Sequence, residues 1–290
     1  MSRDKWASWL LERRTGGDPS AAQYHREYLH PIRDRVLDAA GIGPHTRLLD
    51  VGCGDGLIAC GALERGAAQV VFSDVSQELL DRCQALADEL GVMERCRFVL
   101  AGAEDLGAIA SGSVDAVTTR SVLIYVADKA RAFHEFRRVL APGGLISLFE
   151  PINRYFLDAG NRHPPIYDAG PVAELAERVI AAITRVNPMD GPMMSFDERD
   201  LLDLAEQAGF MPLNVRLELD VRPPPPRDWE SFMRSSPNPL APTLEEAMRE
   251  AALAPAEIVR YVEHFRPLVE SGTGTFRTAC AYLTAVSPGP

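Results

Sequence analysis

An α/β fold built on a doubly wound, mostly parallel sheet is predicted for this 290-residue chain, and three observations predict it. Short apolar runs alternate with amphipathic helical runs from Arg47 to Phe149, the pattern of strand–helix–strand units. The first run, Leu48-Leu49-Asp50-Val51, passes straight into Gly52-Cys53-Gly54-Asp55-Gly56, and glycine is needed where a chain turns sharply and lies flat against a ligand. The second run, Val70-Val71-Phe72, closes on Asp74, where sheets of this kind place an acid against ribose hydroxyls.

Each element follows from local signals. Trp6, Trp9 and Leu10 share a face of a leading helix that breaks at Gly16-Gly17-Asp18-Pro19. Ala21 to Ala40 reads as a second helix, interrupted at His30-Pro31 because proline lacks the amide donor. Residues 1–42 are therefore expected to form an N-terminal helical lid, although docking of such a face on the core is the more frequent arrangement. Leu57 to Arg65 should be helical, which aims free amides and the positive dipole end at an anionic group. Ser76 is the expected N-cap of the next helix, beginning near Gln77. Phe98 to Leu100 and Val114 to Thr119 are the next strands, followed by a helix with Phe133, Phe136 and Leu140 on one face. A turn at Pro142-Gly143-Gly144 leads into the strand Leu145 to Phe149 and completes a core over 43–150.

Beyond Phe149 the pattern changes. Residues 151–195 are expected to be an insertion over the site, with a helix from about Pro171 to Arg185. The C-terminal part, 196–290, begins with a helix from Phe196 to Ala208 and a strand from Met211 to Val221, stopped by Pro223 to Pro226. A final strand is expected over Thr275 to Ala285, which leaves 222–274 as a helical insertion. The two insertions are where substrate identity should be written.

The run Asp50 to Gly56, with its apolar pair in front, resembles the first motif of the class I S-adenosylmethionine-dependent methyltransferases of small-molecule type, D/E-x-G-x-G-x-G. Ala101 to Leu106 resembles the family's third-strand motif G-D-A-E-x-L with alanine in place of its first acid, and Leu140 to Leu145 matches its Leu-Ala-Pro-Gly-Gly-Leu turn. The resemblance implies a seven-stranded Rossmann-like sheet with an antiparallel edge strand and helical lid insertions. It also implies S-adenosylmethionine as cofactor. Its site would comprise Asp50, Gly52, Cys53, Gly54 and Gly56 around the amino-acid tail, and Asp74 on the ribose with Val75 beside it. Ala103 and Glu104 would flank the adenine, and Arg120 would stand nearby. The dinucleotide fingerprint is G-x-G-x-x-G, so an NAD(P)-dependent oxidoreductase fits worse. A non-catalytic S-adenosylmethionine-binding module is the alternative outside enzymes.

Methyl transfer from a sulfonium needs alignment more than activation, and a base helps only for a hydroxyl or protonated amine. The catalytic candidates are Arg120, Tyr125, Glu150, Tyr155 and His163, with Asn153 and Arg154 close by in sequence. A lone loop histidine such as His163 is more often a surface residue, and Arg120 can bind a carboxylate or pair with Glu150. The position after Leu123, often histidine in related enzymes, is Ile124.

A formal charge of −11 argues against nucleic acid or an anionic membrane as partner, and points to a small-molecule substrate. The five cysteines form no CxxC pair and fit reduced thiols. No acid-rich metal site can be assembled, so a metal-independent reaction is expected. The chain lacks a long apolar span or a secretion signal, which suggests the cytoplasm. A homodimer remains open.

Overall fold

The computed structural model describes residues 4–157, 163–186, 188 and 190–289. Helix α1 (Lys5–Ser8), a π-helical turn (Trp9–Arg13) and α2 (Pro19–Ala39) precede the first strand. Then come β1 (Arg47–Val51), α3 (Leu57–Glu64), β2 (Gln69–Asp74), α4 (Gln77–Glu89), β3 (Cys96–Leu100), β4 (Val114–Arg120), α5 (Lys129–Val139) and β5 (Leu140–Pro151). The remainder is α6 (Ala173–Thr184), α7 (Glu198–Gln207), β6 (Leu213–Arg222), α8 (Trp229–Met233), α9 (Leu244–Glu250), α10 (Pro255–Ser271) and β7 (Phe276–Val286).

The strands form one seven-stranded sheet in the order β3-β2-β1-β4-β5-β7-β6. From β3 to β5 all pairs are parallel, with Asp50 opposite Phe72 on one side and Thr118 on the other. Strand β7 runs antiparallel to β5, with Phe149 opposite Tyr282, and β6 lies outside it at the edge. The chain steps outward from β1 to β3 and then crosses back to β4. That reversal between β1 and β4 opens a crevice at the carboxyl ends of the strands, where ligands bind in such sheets. Leu48, Leu49, Phe72, Val117 and Ile146 are fully buried, as central parallel strands covered on both faces require.

By contact density the chain divides into two units. One comprises Leu29–Tyr155, Pro192–Glu218 and Ala279–Pro290, and carries the crevice. The other comprises Met1–Tyr28, Phe156–Gly191 and Leu219–Thr278. Its core is Val172, just before α6, and Leu175 and Val179 of α6, packed with Ala247 and Met248 of α9, Tyr261, Phe265 and Val269 of α10, and Trp229 of α8. The leading segment docks within this unit: the Trp9 indole N–H donates to the Ser236 carbonyl at 3.0 Å, and Arg13 pairs with Glu246 at 2.8 Å.

Two local expectations are corrected. Pro31 does not break its helix; α2 runs on to Ala39, with Leu29, Ile32, Val36 and Leu37 buried along one side, so packing overrides the missing amide. Leu140 belongs to β5 rather than the preceding helix, opposite Val114, and Pro142-Gly143-Gly144 is an irregularity within that strand. Among the described residues no helix is long and apolar enough to cross a membrane.

Candidate active site

The crevice begins at Asp50. As a strand residue it points into the sheet's end and is 2% exposed. Its Oδ1 accepts the Thr118 hydroxyl at 2.8 Å, while Oδ2 is buried with no hydrogen-bond partner among the described residues. Burial raises its pKa to about 7, against the pull of Thr118 and of the Arg120 charge.

Past Val51 the chain turns through Gly52, Gly54 and Gly56, all left-handed, with φ of 66°, 56° and 84°. Gly52 shows why no side chain fits: a Cβ there would lie 2.5 Å from Val122 Cγ2. The Cys53 amide donates to the Ser73 carbonyl at 2.9 Å, which ties the loop to the end of β2. Gly56 then caps α3 in the left-handed conformation, with no side chain capping the helix. Cys53, Cys60 and Cys83 gather behind the loop, with the Cys83 thiol donating to the Gly54 carbonyl at 3.4 Å. A hydrogen bond with Cys83, together with burial, pushes the Cys53 thiol up, and burial pushes Cys60 up to about 12. Cys53 and Cys60 are thus inert packing thiols.

Asp74 closes β2 and organises both flanks. Its Oδ2 accepts the Gly54 amide and its Oδ1 the Ser76 amide, each at 2.9 Å. Ser76 is indeed the N-cap of α4, its hydroxyl accepting the Leu79 amide at 3.2 Å. The helix-capping task is thus Ser76's, while Asp74 joins the glycine loop to the start of α4. Beside it, Val75 is 55% and Leu100 58% exposed, two apolar side chains left bare at adjacent strand ends. Ala103 is buried. Glu104 is partly committed: its Oε1 accepts the Asp128 amide at 2.7 Å, and its own carbonyl accepts Arg131 Nε at 2.7 Å.

The other side of the crevice differs from expectation. Glu150 is fully buried, accepting from the Thr119 hydroxyl and the Val122 and Ile124 amides. Burial raises its pKa against those donors. Its oxygens are thus engaged by the end of β4 and the loop that follows it. It does not pair with Arg120; half-buried Arg120 has no carboxylate within salt-bridge distance among the described residues, and its charge acts on Asp50 and Tyr125. Burial pushes the Tyr125 hydroxyl up, so it is a hydrogen-bonding group rather than a base at neutral pH. Ile124 is buried in the core. Tyr155 is exposed, and Asn153 donates to the Met193 carbonyl at 3.1 Å. His163 is an exposed loop residue of the helical unit.

Lys129 escaped the sequence reading. Its Nζ donates to the Val126 and Pro192 carbonyls at 2.9 and 3.0 Å and sits 4.7 Å from the centroid of the Phe196 ring. Burial lowers its pKa. It ties the segment after Pro192 to the start of α5, a position where a cation opposes the helix dipole and so gives no signal in sequence. Among the described residues no three potential metal ligands cluster.

The arrangement suits a nucleoside bearing a charged amino-acid tail: bare apolar side chains for a base, a carboxylate for a sugar, and a side-chain-free glycine cradle beside a buried acid for the tail. Comparison with known proteins bears on this directly. Residues 49–148 match the family model described as a methyltransferase domain. The tRNA 5-carboxymethoxyuridine methyltransferase of Escherichia coli (strain K12) is 37% identical over 116 residues, 40% of this chain and 43% of that protein, so the match spans less than half of that relative. The ubiquinone biosynthesis O-methyltransferase of Xanthomonas oryzae pv. oryzae is 32% identical over 210 residues, 70% of this chain and 75% of that protein. A solved geranyl diphosphate methyltransferase in complex with SAM has a TM-score of 0.54 over 93% of each chain, at 19% identity, a likeness of fold.

Proposed function

The chain belongs to the class I S-adenosylmethionine-dependent methyltransferases, and from that premise we propose that it transfers a methyl group to a small-molecule acceptor by in-line displacement without a metal. One observation carries the cofactor half of the proposal: the left-handed glycine loop and Asp74 are hydrogen-bonded to each other through the Gly54 amide, so cradle and sugar acid form one preset unit. Bound S-adenosylmethionine supplies an electrophilic methyl on a sulfonium sulfur.

The residues have separable tasks in this reading. Gly52, Cys53, Gly54 and Gly56 receive the amino-acid tail, and the buried carboxyl group of Asp50 favours a cation there when ionised. Asp74, held at the mouth of the glycine loop by the Gly54 and Ser76 amides, accepts from the ribose hydroxyls. Val75 and Leu100 cover the adenine, while the Ala103 amide and the remaining oxygen of Glu104 read its edge. Arg120 and Tyr125 face the acceptor side and orient it, Arg120 best against a negative group. Tyr155 serves as an acceptor contact only. Fixing donor and acceptor in line accounts for roughly 7–11 kcal/mol of barrier lowering, enough that no general base is required for a soft or already ionised acceptor.

The charge of −11 favours a small acceptor over a polyanion. The tRNA-modifying relative supports the competing reading, an RNA acceptor. The five cysteines, none in a disulfide, fit a reducing compartment, the cytoplasm. Incubation with methyl-labelled S-adenosylmethionine and either a metabolite extract or total tRNA separates the acceptors: label in the small-molecule fraction is expected, and label confined to RNA would overturn the small-molecule reading.

A further inference from the structure

Strand β4 ends at Arg120, and the chain leaves the sheet through Ser121, whose φ of 57° is left-handed. Val122 follows at φ −110°, ψ −48°, before the 3₁₀ turn Leu123–Tyr125. A left-handed residue followed by a right-handed one points successive amides into a common concavity, a nest that holds an anion. First-turn amides also lack partners within their own helix. Here the anion is the protein's own. Glu150 Oε1 accepts the Val122 amide at 3.1 Å and the Thr119 hydroxyl at 2.9 Å, and Oε2 accepts the Ile124 amide at 3.4 Å. The other face of the same loop meets the cofactor side, since Val122 occupies the space into which a Cβ on Gly52 would project.

We propose that Glu150 is a positioning residue: its buried carboxylate fixes the Ser121–Tyr125 loop so that Val122 walls the glycine cradle at Gly52, and it never touches the reacting atoms. The inference rests on reading Gly52 to Gly56 as the cofactor loop. Only a carboxylate presents two acceptor oxygens to these donors; an amide of the same size would turn an N–H toward an N–H.

Hydrogen exchange and calorimetry with S-adenosylhomocysteine test it. In the unliganded wild type, the Val122 and Ile124 amides should exchange as slowly as those of β4. Glu150→Gln should weaken S-adenosylhomocysteine at least tenfold and speed exchange at Val122 and Ile124 while β1 and β2 amides stay protected. Val122→Ala should cost several-fold, and the double variant no more than Glu150→Gln alone, because both changes act through one contact. If Glu150→Gln does not fold, Thr119→Val removes one donor at similar volume; a two- to fivefold loss, restored by Thr119→Ser, is then expected. Fully additive losses, affinity of Glu150→Gln or of Thr119→Val unchanged within error, or fast exchange at Val122 and Ile124 in the wild type would each overturn the proposal. No binding by the wild type would instead refute the cofactor reading, so the two failures are distinguishable.

Discussion

The carboxyl ends of β1 and β2 differ in kind from those of β4 and β5, although all belong to the same unit. At β1 and β2 polar capacity is gathered at the glycine loop: one Asp50 oxygen has no hydrogen-bond partner among the described residues, Asp74 joins Gly54 to Ser76, and Val75 is bare. At β4 and β5 much of it is consumed internally, with Glu150 filled by donors, Lys129 bound to two carbonyls and Ile124 in the core. The first side is built to receive a fixed ligand. The second holds the Ser121–Tyr125 loop through Glu150.

The sharpest way to break this contrast is Gly52→Ala. The added Cβ meets Val122 at 2.5 Å with a left-handed φ, so we expect loss of S-adenosylhomocysteine binding by more than about 100-fold, since overpacking and left-handed strain each cost about 1–3 kcal/mol. Wild-type affinity by calorimetry would show that the cradle is not where the cofactor lies. Asp74→Ala should weaken binding roughly 10- to 100-fold with the far-ultraviolet spectrum preserved, in line with the loss of charged hydrogen bonds of about 1.5–3 kcal/mol.

On the other side, Lys129→Met should leave cofactor affinity within twofold yet lower stability by about 1–3 kcal/mol in urea unfolding, because two carbonyls lose their donor. A large loss of affinity without loss of stability would move Lys129 into the site. The smallest effect concerns pH. Asp50's folded pKa of about 7 lies above its ordinary 3.8, so folding favours its protonated form. Its stabilising contribution is fullest below about 3.8 and declines as pH rises to about 7. The ionised form suits a cationic tail, so S-adenosylhomocysteine affinity should rise several-fold from pH 6 to 8. Asp50→Asn should flatten that slope; an unchanged slope would remove Asp50 from tail binding.

The same contrast explains what could be read in advance. Asp50 to Gly56, Asp74 and the Ser76 cap were legible because backbone conformation and capping restrict residue type at fixed spacing. Glu150 was visible only as an acid at a strand end, and its role depends on amides of a loop that no spacing rule places beside it. Lys129 gave no signal, since its partners are carbonyls rather than acids. Pro31 misled because burial of α2 outweighs a single lost amide. Leu140 misled because its apolar spacing continues the helix face after the chain has turned into β5.

The central claim, that the glycine loop and Asp74 grip S-adenosylmethionine, is tested most directly by titrating the wild-type chain with S-adenosylhomocysteine and, in parallel, with NAD⁺. One saturable site per chain for the first and none for the second is the expected result; heat from the nicotinamide nucleotide alone, or from neither, would contradict it.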